Sequence, residues 1–179
     1  MPASGTLVIG LDIAGRTGIA EGFAVETAPR LSSQQFALPD DTSPIEAFGR
    51  AVRFMATRLR DNLPAAIFVE APVPENKLFA AGISQHSSNM IRIGLYGALT
   101  GVARAKGIPV INAGIARVRT NILGHRHGHK GKAAKQATFD RCKLLGWAPA
   151  NNDESDAAAV WLWGCGEIAK GLLDRELAL

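Results

Sequence analysis

The sequence predicts an α/β fold: a mixed β-sheet made of a three-strand antiparallel meander and two parallel strands, with helices on its faces. Two observations lead to this prediction. Short β-rich segments joined by tight connections fill the first forty residues, and apolar strands then alternate with segments of helical period. At 179 residues the chain can bury a sizeable core, so we expect a single domain over residues 1–179.

The meander is predicted from three segments. Residues 7–13 are apolar on both faces, which is typical of a central strand that is covered on both sides. A glycine-flanked turn then leads to a second strand near residues 17–25, and residues 32–38 alternate weakly as a third. Because the connections are short, neighbouring strands should run antiparallel.

The first helix has a clear start. Ser43 is placed to cap it, Pro44 to take its first position, and Glu46 to close a capping box. The helix should end before Pro64. Its apolar residues recur with a 3.6-residue period, at Ile45, Phe48, Val52, Met55, Ala56 and Leu59.

The rest of the chain alternates strands with helices. Strands are predicted at residues 66–69 and 109–112, and the proline-containing residues 71–85 read as a loop. Helices are predicted at residues 87–106, 115–122, 132–145 and 153–172. In the first of these, small residues lie along one side and favour close packing onto the sheet or, alternatively, a dimer seam: Gly94, Gly97, Ala98 and Gly101.

Composition narrows the compartment and the partners. No apolar run approaches the roughly 20 residues that cross a bilayer, and residues 1–5 lack the features of a signal peptide, so we expect no membrane contact. Cys142 and Cys165 have neither metal-motif nor disulfide spacing, which favours buried thiols in a reducing cytoplasm. A cytoplasmic protein without a small-molecule cofactor is expected.

The positive charge is concentrated. The chain has a net charge of +4, yet residues 117–143 alone carry +7, with Asp140 as their single acid. A one-signed, glycine-broken segment of this kind favours a polyanionic partner, and nucleic acid above all.

Four carboxylates follow or open apolar stretches, where they are costly unless paired. Asp12 and Glu70 each end an apolar strand, and Asp153 and Asp156 lie three residues apart at a helix start. Singly, each is typical of a turn or a helix cap. Because Asp12 and Glu70 would lie at the carboxyl ends of adjacent parallel strands, the four acids together predict one divalent-metal site. We expect Mg²⁺, with Mn²⁺ as a substitute, bound by Asp12, Glu70, Asp153 and Asp156.

The ordered motifs resemble the RuvC-type Holliday-junction resolvases of the ribonuclease H-like nuclease superfamily, in a divergent or phage-type branch. The resemblance runs from about residue 7 to residue 165 and rests on five stretches. These are Gly10-Leu11-Asp12 with Thr17-Gly18, Phe68-Val69-Glu70, and the segments 153–158, 118–124 and 131–136. It implies a ribonuclease H-like sheet, a bacterial or phage-encoded enzyme, and a homodimer that nicks four-way junctions.

The resemblance also implies residue roles. The four acids would bind the catalytic metals, and Arg119 and Lys135 would approach the scissile phosphate. Two departures bear on junction selectivity. Residues 13–15 read Ile-Ala-Gly where the family has proline-glycine, and the aromatic residue expected after Glu70 is missing, with Phe79 as a candidate substitute.

Residues 124–132 form a histidine- and glycine-rich basic loop. A zinc site is disfavoured because nearby cysteine or carboxylate ligands are missing, and the spacing does not match a phosphate-binding P-loop. The loop is interpreted as a DNA contact, with a role-free surface loop as the alternative. The predicted DNA-binding residues are Arg117, Arg119, His125, Arg126, His127, His129, Lys130, Lys132 and Lys135.

The function these features predict is a Mg²⁺-dependent, structure-selective DNA endonuclease that resolves Holliday junctions by two-metal phosphodiester hydrolysis. Its catalytic residues would be Asp12, Glu70, Asp153, Asp156 and Lys135. Three alternatives remain. One is a related nuclease for flaps, forks or RNA-containing substrates, and another is a non-catalytic DNA-binding module on the same fold. The third is an actin-type ATPase, which would need a second homologous half.

Overall fold

A five-stranded mixed sheet forms the centre of the molecule. The computed structural model describes residues 5–70, 83–124 and 128–171. The strands are β1 (Leu7–Asp12), β2 (Arg16–Phe23), β3 (Arg30–Gln35), β4 (Ala66–Glu70) and β5 (Val110–Ala113). Their order across the sheet is β3-β2-β1-β4-β5.

The strand directions confirm the predicted sheet. β1 pairs antiparallel with β2, which pairs antiparallel with β3, whereas β4 runs parallel to both β1 and β5. The meander and the two parallel strands are therefore as the sequence indicates. The third strand lies about two residues earlier than predicted, because Phe36 turns into the core and donates its backbone N–H to Gly15 instead of continuing the ladder.

Five helices cover the sheet in the described part of the chain. They are α1 (Pro44–Arg58), α2 (Ile83–Ala105), α3 (Ile115–Leu123), α4 (Gly131–Leu144) and α5 (Asn152–Ala169). One core cluster lies between the sheet and α1 with α2, and the other lies between the sheet and α3 to α5. Burial on both faces explains why β1 and β4 are apolar throughout. None of the described helices is long and apolar enough to cross a membrane.

The start of α1 differs from the predicted capping box in one partner. Ser43 caps the helix and accepts a hydrogen bond from the backbone N–H of Ile45. Glu46 reaches back to the backbone and hydroxyl of Thr42 instead of the backbone of Ser43. The buried face is also rotated from the predicted one. Ala47, Ala51 and Met55 are buried, whereas Ile45 and Val52 are exposed, because the small alanine side chains face the core and let α1 pack closely against α2.

α5 is the helix that lies closest to the sheet. A β-carbon at Gly10 would overlap the backbone of Trp161, so glycine at this position permits the close contact of β1 with α5. Trp161 and Trp163 are buried in this layer, as predicted, and so is Trp147. The indole N–H groups of Trp147 and Trp161 donate to backbone carbonyls, so these rings belong to the core and not to a base-stacking surface.

Candidate metal centre and nucleic-acid interface

Two of the acids lie side by side at the carboxyl ends of β1 and β4. Leu11 pairs with Val69 in the parallel register, so Asp12 and Glu70 are the next residues on adjacent strands. Only 5% of Asp12 is exposed to solvent. Parallel pairing of two buried strands thus brings two carboxylates together at one edge, as the sequence predicts.

The amino end of α5 approaches the same edge. Its cap is Asn151, whose side chain accepts from the backbone N–H of Glu154 at 3.0 Å. A β-carbon at Gly18, which pairs with Asp12 across the hairpin, would overlap the carbonyl oxygen of Asp153. The helix start therefore rests directly on the backbone of β2.

Glu154, which the sequence prediction missed, holds the start of α5 in place through contacts with β3. Its carboxylate accepts hydrogen bonds from Ser33 Oγ at 3.0 Å and from the backbone N–H of Ala150 at 2.8 Å. Asn151 also donates to Ser33 Oγ at 3.0 Å. The side chain is buried, so this network ties α5 to β3 and sets where Asp153 and Asp156 lie. Its position between Asp153 and Asp156 at a helix start was the available sequence signal.

The electrostatics of the acids reflect their mutual proximity. Burial, with the charges of Glu70 and Asp156, raises the pKa of Asp12 from 3.8 to about 7. Burial and Asp156 likewise raise the pKa of Glu70, and burial raises that of Asp156. Raised pKa values in neighbouring carboxyl groups are the cost of holding like charges together without a compensating cation.

Lys135 of α4 supplies part of the missing charge. Its ammonium lies 3.0 Å from Asp156 Oδ2, and the lysine side chain is 43% exposed. Burial alone would lower the pKa of Lys135, but Asp156, Asp12 and Asp153 outweigh this and raise it. The lysine therefore stays charged and faces the acids while part of it remains open to solvent.

Two arginines reach the same group. The positive charge of Arg119 of α3 offsets part of the rise in the pKa values of Glu70 and Asp156, and that of Arg92 of α2 does the same for Asp12 and Glu70. Sequence reasoning named Arg119 and missed Arg92. The signal for Arg92 was its position in the first turns of the helix that follows Glu70, since that helix must start near the strand edge.

The four carboxylates suit a hard divalent cation by their chemistry, since Mg²⁺ and Mn²⁺ take oxygen ligands. The buried Asp12 side chain makes no hydrogen bond or ion pair within the described residues, so its oxygens are available. Within that same part of the chain, no three His, Cys, Asp or Glu side chains are gathered closely enough to hold an ion. Charges affect one another over longer distances than those that join a metal to its ligands. The four carboxylates therefore fit a divalent cation chemically, but they would have to move closer together to bind it.

The remaining predicted DNA-binding residues divide into three sets. His129, Lys130 and Lys132 are exposed at the start of α4, on the segment that leads to Lys135. Arg117 is exposed on a different cleft, which it lines with Trp163 and Glu167. His125, Arg126 and His127 lie outside the described residues, as does Phe79.

Comparison with solved structures confirms the fold resemblance. RuvC of T. thermophilus in complex with a Holliday junction substrate is 20% identical with a TM-score of 0.69, over 93% of this chain and 97% of that one. A second Thermus thermophilus RuvC structure is also 20% identical, with a TM-score of 0.64 over 92% and 96% of the two chains. Neither a protein-family profile nor a curated protein sequence matches this chain.

A eukaryotic structure shows the same likeness. The yeast mitochondrial Holliday junction resolvase Ydc2 is 12% identical with a TM-score of 0.58, over 94% of this chain and 83% of that one. These structural neighbours are junction resolvases, and the chain shares their ribonuclease H-like fold almost from end to end.

Proposed function

We propose that this protein is a divalent-metal-dependent DNA endonuclease that resolves four-way junctions as a homodimer. One observation carries the proposal: Asp12 and Glu70 end adjacent parallel strands, and they and the acids of α5 act on one another's charges together with Lys135, Arg92 and Arg119. A pure DNA-binding surface gains nothing from carboxylates that repel phosphates, whereas a hydrolytic site needs them to hold cations.

The metal ligands would be Asp12, Glu70, Asp153 and Asp156, with Mg²⁺ as the expected ion and Mn²⁺ as a substitute. Bound ions would supply the activation of water and the charge neutralisation that phosphodiester hydrolysis requires. The protein contributes the positions of the ligands through two parallel strands and one capped helix. It also excludes water from Asp12, which strengthens every charge interaction there.

Lys135 has a distinct role in this proposal. Its ammonium lies 3.0 Å from Asp156 Oδ2 and offsets the charge of that carboxylate. If the acids held divalent cations, the charged lysine would be available to stabilise the negative charge that develops on the phosphate during attack. Arg119 holds a similar place beside Glu70 and Asp156 and would bind a neighbouring phosphate through its planar fork.

Branched DNA is the proposed substrate because the neighbours with this fold are junction resolvases and one of them holds a Holliday junction. The test compares Mg²⁺-dependent cleavage of a synthetic four-way junction with cleavage of a flap, a fork, a linear duplex and an RNA–DNA hybrid. We expect the junction to be cut fastest and Asp12→Asn to cut none of the substrates. Preference for flaps or hybrids would favour the related-nuclease alternative, and full activity of Asp12→Asn would refute the metal site.

The homodimer would form through α2. Met90 and Ile93 are exposed on this helix, and β-carbons at Gly97 and Gly101 would meet open space, so a second copy could approach closely there. Two active sites would then face two strands of one junction. The measurement is the mass in solution by light scattering: Gly97→Arg should give a monomer. The matched control Gly166→Arg, also at an open helical glycine, should stay dimeric.

A further inference from the structure

A cleft of about 370 Å³ lies beside the acids, where the β1–β2 turn and the segment after β3 face α2 and α4. Its lining combines two kinds of group. Ala14, Ala37 and Ile91 are apolar, whereas Arg92 and Lys135 are cationic. This volume is near the lower end of the roughly 300–1,000 Å³ that small-molecule sites occupy, which suits one nucleotide better than a stack of bases.

The cleft adjoins the candidate metal centre through its two cations. Lys135 is bonded to Asp156 at 3.0 Å, and both Lys135 and Arg92 act on the charges of Asp12 and Glu70. The Arg92 side chain belongs to an exposed residue and forms no hydrogen bond or ion pair with another residue in the described ranges. A guanidinium in this state keeps all its donors for an incoming anion.

We propose that this cleft receives the nucleotide next to the scissile phosphate, with its base against Ile91, Ala14 and Ala37 and its phosphate on Arg92. The inference rests on the proposed nuclease function and deepens it by assigning a nucleotide subsite. Arginine suits the role because its planar fork binds phosphate oxygens in pairs. The apolar wall suits a base face, because contact between the two removes apolar surface from water.

The subsite predicts two separable effects. Arg92→Ala should weaken binding of a four-way junction and lower the slope of log K against log salt by about 0.9, as for one lost phosphate contact. Ala37→Phe should fill the cleft without changing any charge, so the base would lose its burial there; binding should weaken about tenfold and the salt slope should stay unchanged. Arg53→Ala, which removes an exposed arginine from α1, is the matched control.

The test is a double-mutant cycle that combines a substitution in the protein with a modification of the DNA. Equilibrium binding is measured on an Asp12→Asn background, so that cleavage does not interfere. An abasic residue is placed in turn at each nucleotide around the branch point. At one position the abasic residue should weaken binding about tenfold when the cleft is native. It should weaken binding no further in Ala37→Phe, since the cleft is already filled. If Ala37→Phe does not fold, Ala14→Leu narrows the same cleft from the β1–β2 turn.

The outcomes separate this inference from the function it rests on. Additive losses at every abasic position, or no loss in the filled-cleft variant, would overturn the nucleotide subsite even if the enzyme cuts junctions. A lower salt slope in Arg92→Ala without an effect of any abasic residue would also overturn the nucleotide subsite, because the protein would then bind only the DNA backbone there. A non-additive cycle in a protein that cuts no DNA would support the subsite and refute the nuclease.

Discussion

Replacing Asp12 by asparagine should stabilise the metal-free protein at neutral and alkaline pH. Its pKa is about 7 in the folded chain against an ordinary 3.8, a difference of about three pH units. At about 1.36 kcal/mol for each unit, ionised Asp12 costs the folded state up to about 4 kcal/mol. Asparagine has a similar shape and carries no charge, so it avoids this cost.

The sign of the pH dependence follows from proton binding. Between pH 3.8 and about 7 the folded protein keeps the Asp12 proton that the unfolded chain has released. Stability of the native chain should therefore fall as pH rises through this window, whereas Asp12→Asn should lack this component. The gain in the variant should be small near pH 4 and should reach about 2–4 kcal/mol at pH 8.

The assay is urea unfolding followed by far-UV circular dichroism, in EDTA, at both pH values. Asp61→Asn, at an exposed residue, serves as the control and should change stability little. Adding Mg²⁺ should stabilise the native chain at pH 8 and leave Asp12→Asn unaffected, because only the former binds the ion. An equal stability difference at both pH values would refute the claim that Asp12 is a buried carboxylate under electrostatic strain.

Three further predictions concern the surroundings of the acids. Gly18→Ala should lower the free energy of unfolding by about 1–3 kcal/mol, because its β-carbon overlaps the start of α5. The measurement is again urea unfolding, and a neutral result would mean that α5 can shift at no cost. Glu154→Ala should cost about 1–3 kcal/mol by leaving its buried partners unpaired. It should also weaken Mn²⁺ binding by calorimetry, an effect that a purely structural residue far from the acids would not have. Replacing both Lys130 and Lys132 by glutamine should lower the salt slope of junction binding by about 1.8 if each contacts a phosphate, and an unchanged slope would remove them from the interface.

Much of the fold could be read from local patterns. The apolar strand β1 and the helix start at Ser43 carry their signals within a few residues, so their predicted positions agree with the structure. The buried face of α1 could not be read in this way. Ile45 and Val52 follow the helical period as well as Ala47 and Ala51 do, and only the close packing of α1 against α2 decides that the small residues face inward.

The same division holds for the candidate site. Asp12 and Glu70 could be paired from sequence because parallel strands end at a common edge, a rule that needs no distant contact. Local signals mark Glu154 and Arg92 only as candidates, because their contacts depend on long-range packing. Glu154 meets Ser33 from across the sheet, 121 residues away along the chain, and Arg92 faces the acids from a separate helix.

The central claim is that the acids at the ends of β1, β4 and the start of α5 hold divalent metal beside the phosphate-binding cations. A crystal soaked in Mn²⁺ and measured for anomalous scattering tests this most directly. We expect anomalous density between Asp12, Glu70 and Asp156, with the Lys135 ammonium farther from Asp156 Oδ2 than the present 3.0 Å. Mn²⁺ bound only at sites away from these acids, with the Lys135–Asp156 pair intact, would contradict the claim that they bind the metal.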